Sequence, residues 1–112
     1  MKPGEQAERL AATYLESKGL SLIESNYRCR RGEIDLVLRD RDTIVLAEVR
    51  LRQSSRFGGA AESVDRRKQA RIVAAARHYL AGRGEVACRF DVVLLDRLEP
   101  PRIEWIRDAF SA

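Results

Sequence analysis

Residues 32–51 read GEIDLVLRDRDTIVLAEVRL, and the way this stretch folds decides the reading of everything around it. Two runs with strand composition, 33–39 (EIDLVLR) and 43–51 (TIVLAEVRL), are separated by Asp40-Arg41-Asp42, a turn-forming cluster. With Arg41-Asp42 as a two-residue loop the runs close into a hairpin in which Asp40 faces Thr43. Ile34, Leu36 and Leu38 then face Val49, Ala47 and Val45, giving one apolar face, and Val37 meets Leu46 on the other. A slip of one residue would scramble both faces, so the pattern specifies the register. That register sets Asp35 directly across from Glu48, and Glu33 across from Arg50.

Two carboxylates opposed on an antiparallel ladder have Cβ atoms about 4.5–5.5 Å apart, where like charges destabilise the pair. Asp35 lies between Ile34 and Leu36 and Glu48 between Ala47 and Val49, so neither belongs to a solvated segment. Such a pair must share a proton, find cations or bind a metal. Cations are at hand in the sequence: Arg28, Arg30 and Arg31 precede the acids, and Arg50, Arg52 and Arg56 follow them. One reading is a structural ion-pair network with Arg31, Arg50 and Arg52. The other is a metal-assisted phosphodiester site, in which oxygen-only ligands favour Mg²⁺ or Mn²⁺ and the basic collar holds the polyanion.

Outward from the hairpin, residues 5–18 predict a helix with an apolar stripe of Ala7, Leu10, Ala11, Tyr14 and Leu15, ended by Gly19. A first strand is expected over 20–28 and a loop over 52–62. A second helix follows over about 65–81, with Ser63 or Asp65 as N-cap and Gly82 at its end. This helix is expected to turn Arg67, Arg71 and His78 to one side and Val73, Ala76 and Leu80 to another. Strands at 88–95 and, after Pro100-Pro101, at about 103–107 complete an α/β sandwich with a mixed sheet.

The chain has 112 residues, enough for one domain and one modest core, and 1–112 is read as such. There is no room for separate cofactor and substrate domains. Its 21 basic residues exceed 17 acidic ones by 4, and 18 of the 21 are Arg, which suits bidentate phosphate contacts. No apolar run approaches the roughly 20 residues of a membrane span, and MKPGEQAERL lacks the apolar core of a signal peptide. A cytoplasmic protein with reduced Cys29 and Cys88 and no zinc site is expected.

The chain also resembles the YraN-like family of small bacterial proteins. The resemblance is carried by GEQAERLAATYLESKGL, NYRCRRGEIDLV, EVRLR, Phe57-Gly58, KQARI, RFDVV and the closing DAF. That family is assigned to the PD-(D/E)XK nuclease superfamily, with similarity to Holliday-junction resolvases. The resemblance implies a restriction-endonuclease-like αβββαβ core with a mixed central sheet flanked by helices. It also implies metal-dependent hydrolysis of DNA, including branched DNA, and a homodimer. Asp35 corresponds to the motif aspartate, Glu48 to the acid of the tripeptide and Glu8 to the acidic position on the first helix.

The chain departs from the motif at Arg50, where Lys is expected. A guanidinium stays protonated and cannot act as a base, although it can neutralise transition-state charge. The expected site is therefore Asp35, Glu48 and Arg50 for catalysis, with Asp35 and Glu48 as metal ligands and Glu8 and Glu33 as further candidates. Arg28, Arg30, Arg31, Arg52, Arg56, Lys68 and Arg71 are the expected nucleic-acid contacts. Competing readings of the same residues are a catalytically silent nucleic-acid-binding module and a protein-interaction domain.

Overall fold

The order of elements follows the patterning. In a computed structural model that describes residues 2–51 and 64–112, helix α1 (Pro3–Ser17) leads to strands β1 (Ser21–Cys29), β2 (Gly32–Asp40) and β3 (Thr43–Leu51). Helix α2 (Arg66–Leu80) then crosses to β4 (Ala87–Leu98), and β5 (Pro101–Phe110) closes the chain. The loop expected over 52–62, with Arg52, Arg56 and Phe57-Gly58, lies outside the described residues, as does the N-cap candidate Ser63.

The five strands form one sheet in the order β1-β2-β3-β4-β5. β1–β2, β2–β3 and β4–β5 are antiparallel, while β3 and β4, joined through α2, are parallel. This is the expected restriction-endonuclease-like α/β architecture. Helix α1 covers one face through Ala7, Ala11, Ala12 and Leu15, which pack on Leu36, Leu38, Val45, Ala47, Val93 and Leu95. Helix α2 covers the other through Ile72, Ala75, Ala76 and Tyr79, packed on Val37, Ile44, Leu46, Phe90, Val92 and Leu94. No helix among the described residues is long and apolar enough to cross a membrane.

Two expectations are corrected. The inward stripe of α2 is Ile72, Ala75, Ala76 and Tyr79, with Val73 and Leu80 only partly buried at its margins. The hairpin keeps the predicted register from Asp40↔Thr43 to Leu36↔Ala47, but its apolar face does not run on to Ile34. Ile34 packs in the α2 layer, whereas Leu36, two residues on, packs in the α1 layer. Strict alternation would put both on one face. The chain turns over at Asp35, opposite which β1 carries Asn26 in the left-handed region (φ 55), between the pairs Ser25↔Leu36 and Tyr27↔Ile34.

Candidate functional site

That turnover builds the site. Where a regular ladder would continue, the Asp35 side chain takes the place of a strand partner, and the backbone N–H of Val49 donates to its Oδ2 at 2.9 Å. Asp35 is thereby pinned against β3 beside Glu48, close enough for its charge to act on the Glu48 carboxyl. Glu48 shares a face with Leu46 and so points toward α2. It is only 3% exposed, in a setting where an ionised carboxylate needs partners.

Two cations face it among the described residues. Arg50 Nη1 lies 3.5 Å from Glu48 Oε2, and Lys68 Nζ reaches the same oxygen at 3.6 Å from the first turn of α2. The other oxygen, Oε1, is buried and accepts no hydrogen bond among the described residues. Burial and then the charge of Asp35 push the Glu48 carboxyl up to about 8, against the smaller opposing pull of Lys68 and Arg50.

Glu8, on α1, is half-buried at the other side of Asp35. Burial first, and then the charge of Asp35, raise its carboxyl above the usual range, and a hydrogen bond with Asn26 offsets part of the rise. Glu8, Asn26 and Arg28 also line an open cleft of about 820 Å³ between α1 and β1. Asn26 was not among the residues expected from sequence. Its signal is conformational, a left-handed residue inside a strand, which Asn tolerates better than most side chains.

The expected Glu33–Arg50 pair does not form. Glu33 pairs with Arg28 across β1–β2 at 3.4 Å, in a solvated setting, while Arg50 turns to Glu48. The cause is again the turnover at Asp35, which ends the regular β2–β3 ladder before residue 33. Among the described residues no group of three or more His, Cys, Asp or Glu is placed to hold one metal ion.

The segments that carry the cationic residues are brought together by one close packing contact. A Cβ on Gly32 would lie 2.3 Å from the carbonyl oxygen of Arg71, so β2 can start against α2 only because residue 32 has no side chain. The exposed Arg30 and Arg31 immediately precede this contact along the chain, and the exposed Arg71 lies one turn along α2 from Lys68. Asp65 caps that helix, accepting from Lys68 N at 2.8 Å, and Gln69 Nε2 donates to Val64 O at 2.9 Å. His78, on the side of α2 expected to carry Arg67 and Arg71, is exposed with the Tyr27 hydroxyl as partner.

The model of Uncharacterised protein family UPF0102 matches residues 7–95, a span that holds Glu8, Asn26, Asp35, Glu48 and Lys68. The chain belongs to this family. A UPF0102 protein of Nitrosomonas europaea is 55% identical over 96% of this chain and 92% of its own length. A UPF0102 protein of Ralstonia nicotianae is 57% identical over 96% and 85%, and one of Methylobacillus flagellatus 50% identical over 97% and 96%. UPF0102 is the YraN family, in agreement with the motifs quoted from the sequence. In this UPF0102 chain Asp35 of β2 and Glu48 of β3 meet, and two residues beyond Glu48 the guanidinium of Arg50 faces it.

Proposed function

We propose that this UPF0102 protein is a divalent-metal-dependent endonuclease acting on DNA. The observation that carries the reading is Glu48 Oε1, a buried carboxyl oxygen with no hydrogen-bond partner among the described residues, beside a second carboxylate and under two cations. A buried acceptor left unpaired costs about 1–3 kcal/mol, a cost that marks a ligand position better than a structural one. Asp35 and Glu48 fit Mg²⁺ or Mn²⁺, since Mg²⁺ commonly takes one or two protein carboxylates and fills its shell with waters and substrate phosphate. When bound, such an ion would acidify its water and neutralise phosphate charge.

The chain's own residues supply the remainder. Val49 N–H holds Asp35 in place, and the ridge of Arg30, Arg31 and Arg71 meets the phosphate backbone. Hydrolysis adds one water across the ester bond. The water oxygen bonds to phosphorus, the bond to the sugar oxygen breaks, one proton goes to that oxygen and the other stays on the new phosphomonoester.

The test is a cleavage assay with Mn²⁺ on duplex, single-stranded and four-way-junction DNA. Cleavage that disappears in both Asp35→Asn and Glu48→Gln supports the reading, and preference for the junction would identify branched DNA as substrate. Absence of cleavage on all three substrates overturns it. Salt-sensitive DNA binding would then favour the silent binding module, a reading that already has the guanidinium at position 50 in its favour.

A further inference from the structure

We propose that Lys68, delivered from α2, is the cation that contacts the reacting phosphate, in place of the lysine that the β3 tripeptide lacks. The inference rests on the nuclease reading above. Lys68 is one of three lysines in a chain whose other 18 cations are all arginine, and it stands between Arg67 and Arg71. Lys2 and Lys18 are exposed, whereas the Lys68 side chain is 27% exposed and ends 3.6 Å from Glu48 Oε2. Arg50 meets the same oxygen from its own strand but leaves 44% of its side chain in solvent.

Their chemistry separates the two cations. An ammonium is a compact charge with three rotatable donors, so that one can rest on Glu48 while another reaches a non-bridging phosphate oxygen. A guanidinium is planar and wide, and the half-exposed Arg50 is suited to the strand backbone of the DNA instead. The position of Lys68 is also built in. Its backbone N–H is bonded to the Asp65 cap, Gln69 ties the same turn to Val64 O, and Val64 is fully buried. The ammonium is thus held where it supports charge developing on the phosphorane-like transition state.

The experiment compares Lys68→Met, Lys68→Arg and Arg50→Ala with the wild type in single-turnover cleavage with Mn²⁺. DNA affinity in Ca²⁺ and the Mn²⁺-induced rise in melting temperature are measured in parallel. Lys68→Met is expected to slow the cleavage step about 100-fold, the scale of removing one transition-state donor, and Arg50→Ala about 10-fold or less. Lys68→Arg should recover part of the rate and serves as second variant should Lys68→Met fold poorly. DNA affinity and the Mn²⁺ response should persist in Lys68→Met, because neither the acids nor the arginine ridge is altered.

Cleavage abolished in Arg50→Ala but kept in Lys68→Met overturns the assignment and leaves the nuclease reading standing. So does a Lys68→Met defect that is matched by weakened DNA affinity or an absent Mn²⁺ response, which would make Lys68 a binding or site-building residue. A wild type that cleaves none of the substrates overturns both.

Discussion

Asp91 and Glu48 are buried carboxylates on neighbouring strands, facing opposite sides of the sheet, and their surroundings differ in every respect that matters. Asp91, fully buried on the α1 side, accepts from Arg89 Nε at 3.1 and 3.3 Å, Trp105 Nε1 at 2.9 Å and the backbone N–H of Asp108 at 2.9 Å. Arg89 reaches on to Asp40 at 2.9 Å, where Arg107 joins at 3.3 Å. Glu48, on the α2 side, has among the described residues one orphaned oxygen, two ion pairs beyond ordinary hydrogen-bond length and an acid as neighbour. A buried carboxylate that is part of the architecture has both oxygens satisfied, as Asp91 has, even though its partner Arg89 keeps a buried Nη2 with no hydrogen-bond partner among the described residues. One that is held incomplete, with the surrounding fold bearing the cost, is set up to receive something.

The largest effect that bears on this contrast belongs to Asp91. Asp91→Ala leaves Arg89 Nε, the Trp105 indole and the Asp108 amide without their acceptor, while Arg89 Nη1 keeps Asp40. It is expected to cost about 3–5 kcal/mol in urea unfolding, independent of divalent ions. A cost below about 1 kcal/mol would show that β4 and β5 do not depend on this carboxylate.

Next comes the divalent ion. Mn²⁺ at about 100 times its dissociation constant should add about 2.7 kcal/mol to stability. Asp35→Asn should remove that gain. A gain that survives the substitution places the ion elsewhere.

Glu48→Gln is expected to stabilise the metal-free protein by about 1–3 kcal/mol at alkaline pH. The sign follows from the raised carboxyl, up to about 8 in the folded protein against 4.5 ordinarily. Between those values the folded state holds a proton that the unfolded state has released, so stability falls as pH rises through the window. Below the window the two proteins should differ least. Melting curves from about pH 4 to pH 9 give the comparison, and a wild-type curve no steeper than that of Glu48→Gln across this range would contradict the burial argument.

The smallest effect concerns the ridge. Arg31→Ala with Arg71→Ala should lower the slope of log affinity against log salt by about 0.9 for each phosphate that is no longer neutralised, with little change in stability. A slope unchanged in the double variant would remove Arg31 and Arg71 from the interface.

Much of the fold and the acid pair is legible in the sequence because the causes are local. Alternating apolar residues and a two-residue turn set the β2–β3 register. The Ala7, Ala11 and Leu15 spacing and Gly19 (φ 99) set α1 and its end, and Asp65 sets the start of α2. Asp35 and Glu48 emerge as a pair because cross-strand neighbours follow from the register. The pairing expected for Glu33 fails because the same logic does not hold past Asp35, where a side chain replaces the ladder.

The sequence by itself determined the elements, their order, the mixed sheet and the two acids, since periodicity, caps and turns act within a few residues. Tertiary structure decided what those acids meet. It turned Ile34 away from Leu36, used Gly32 to seat Arg71 against β2, and set Lys68 on Glu48 from a helix that begins the crossover. Those contacts depend on how two layers pack across a sheet. Packing is non-local and shape-dependent, so no spacing along the chain announces it.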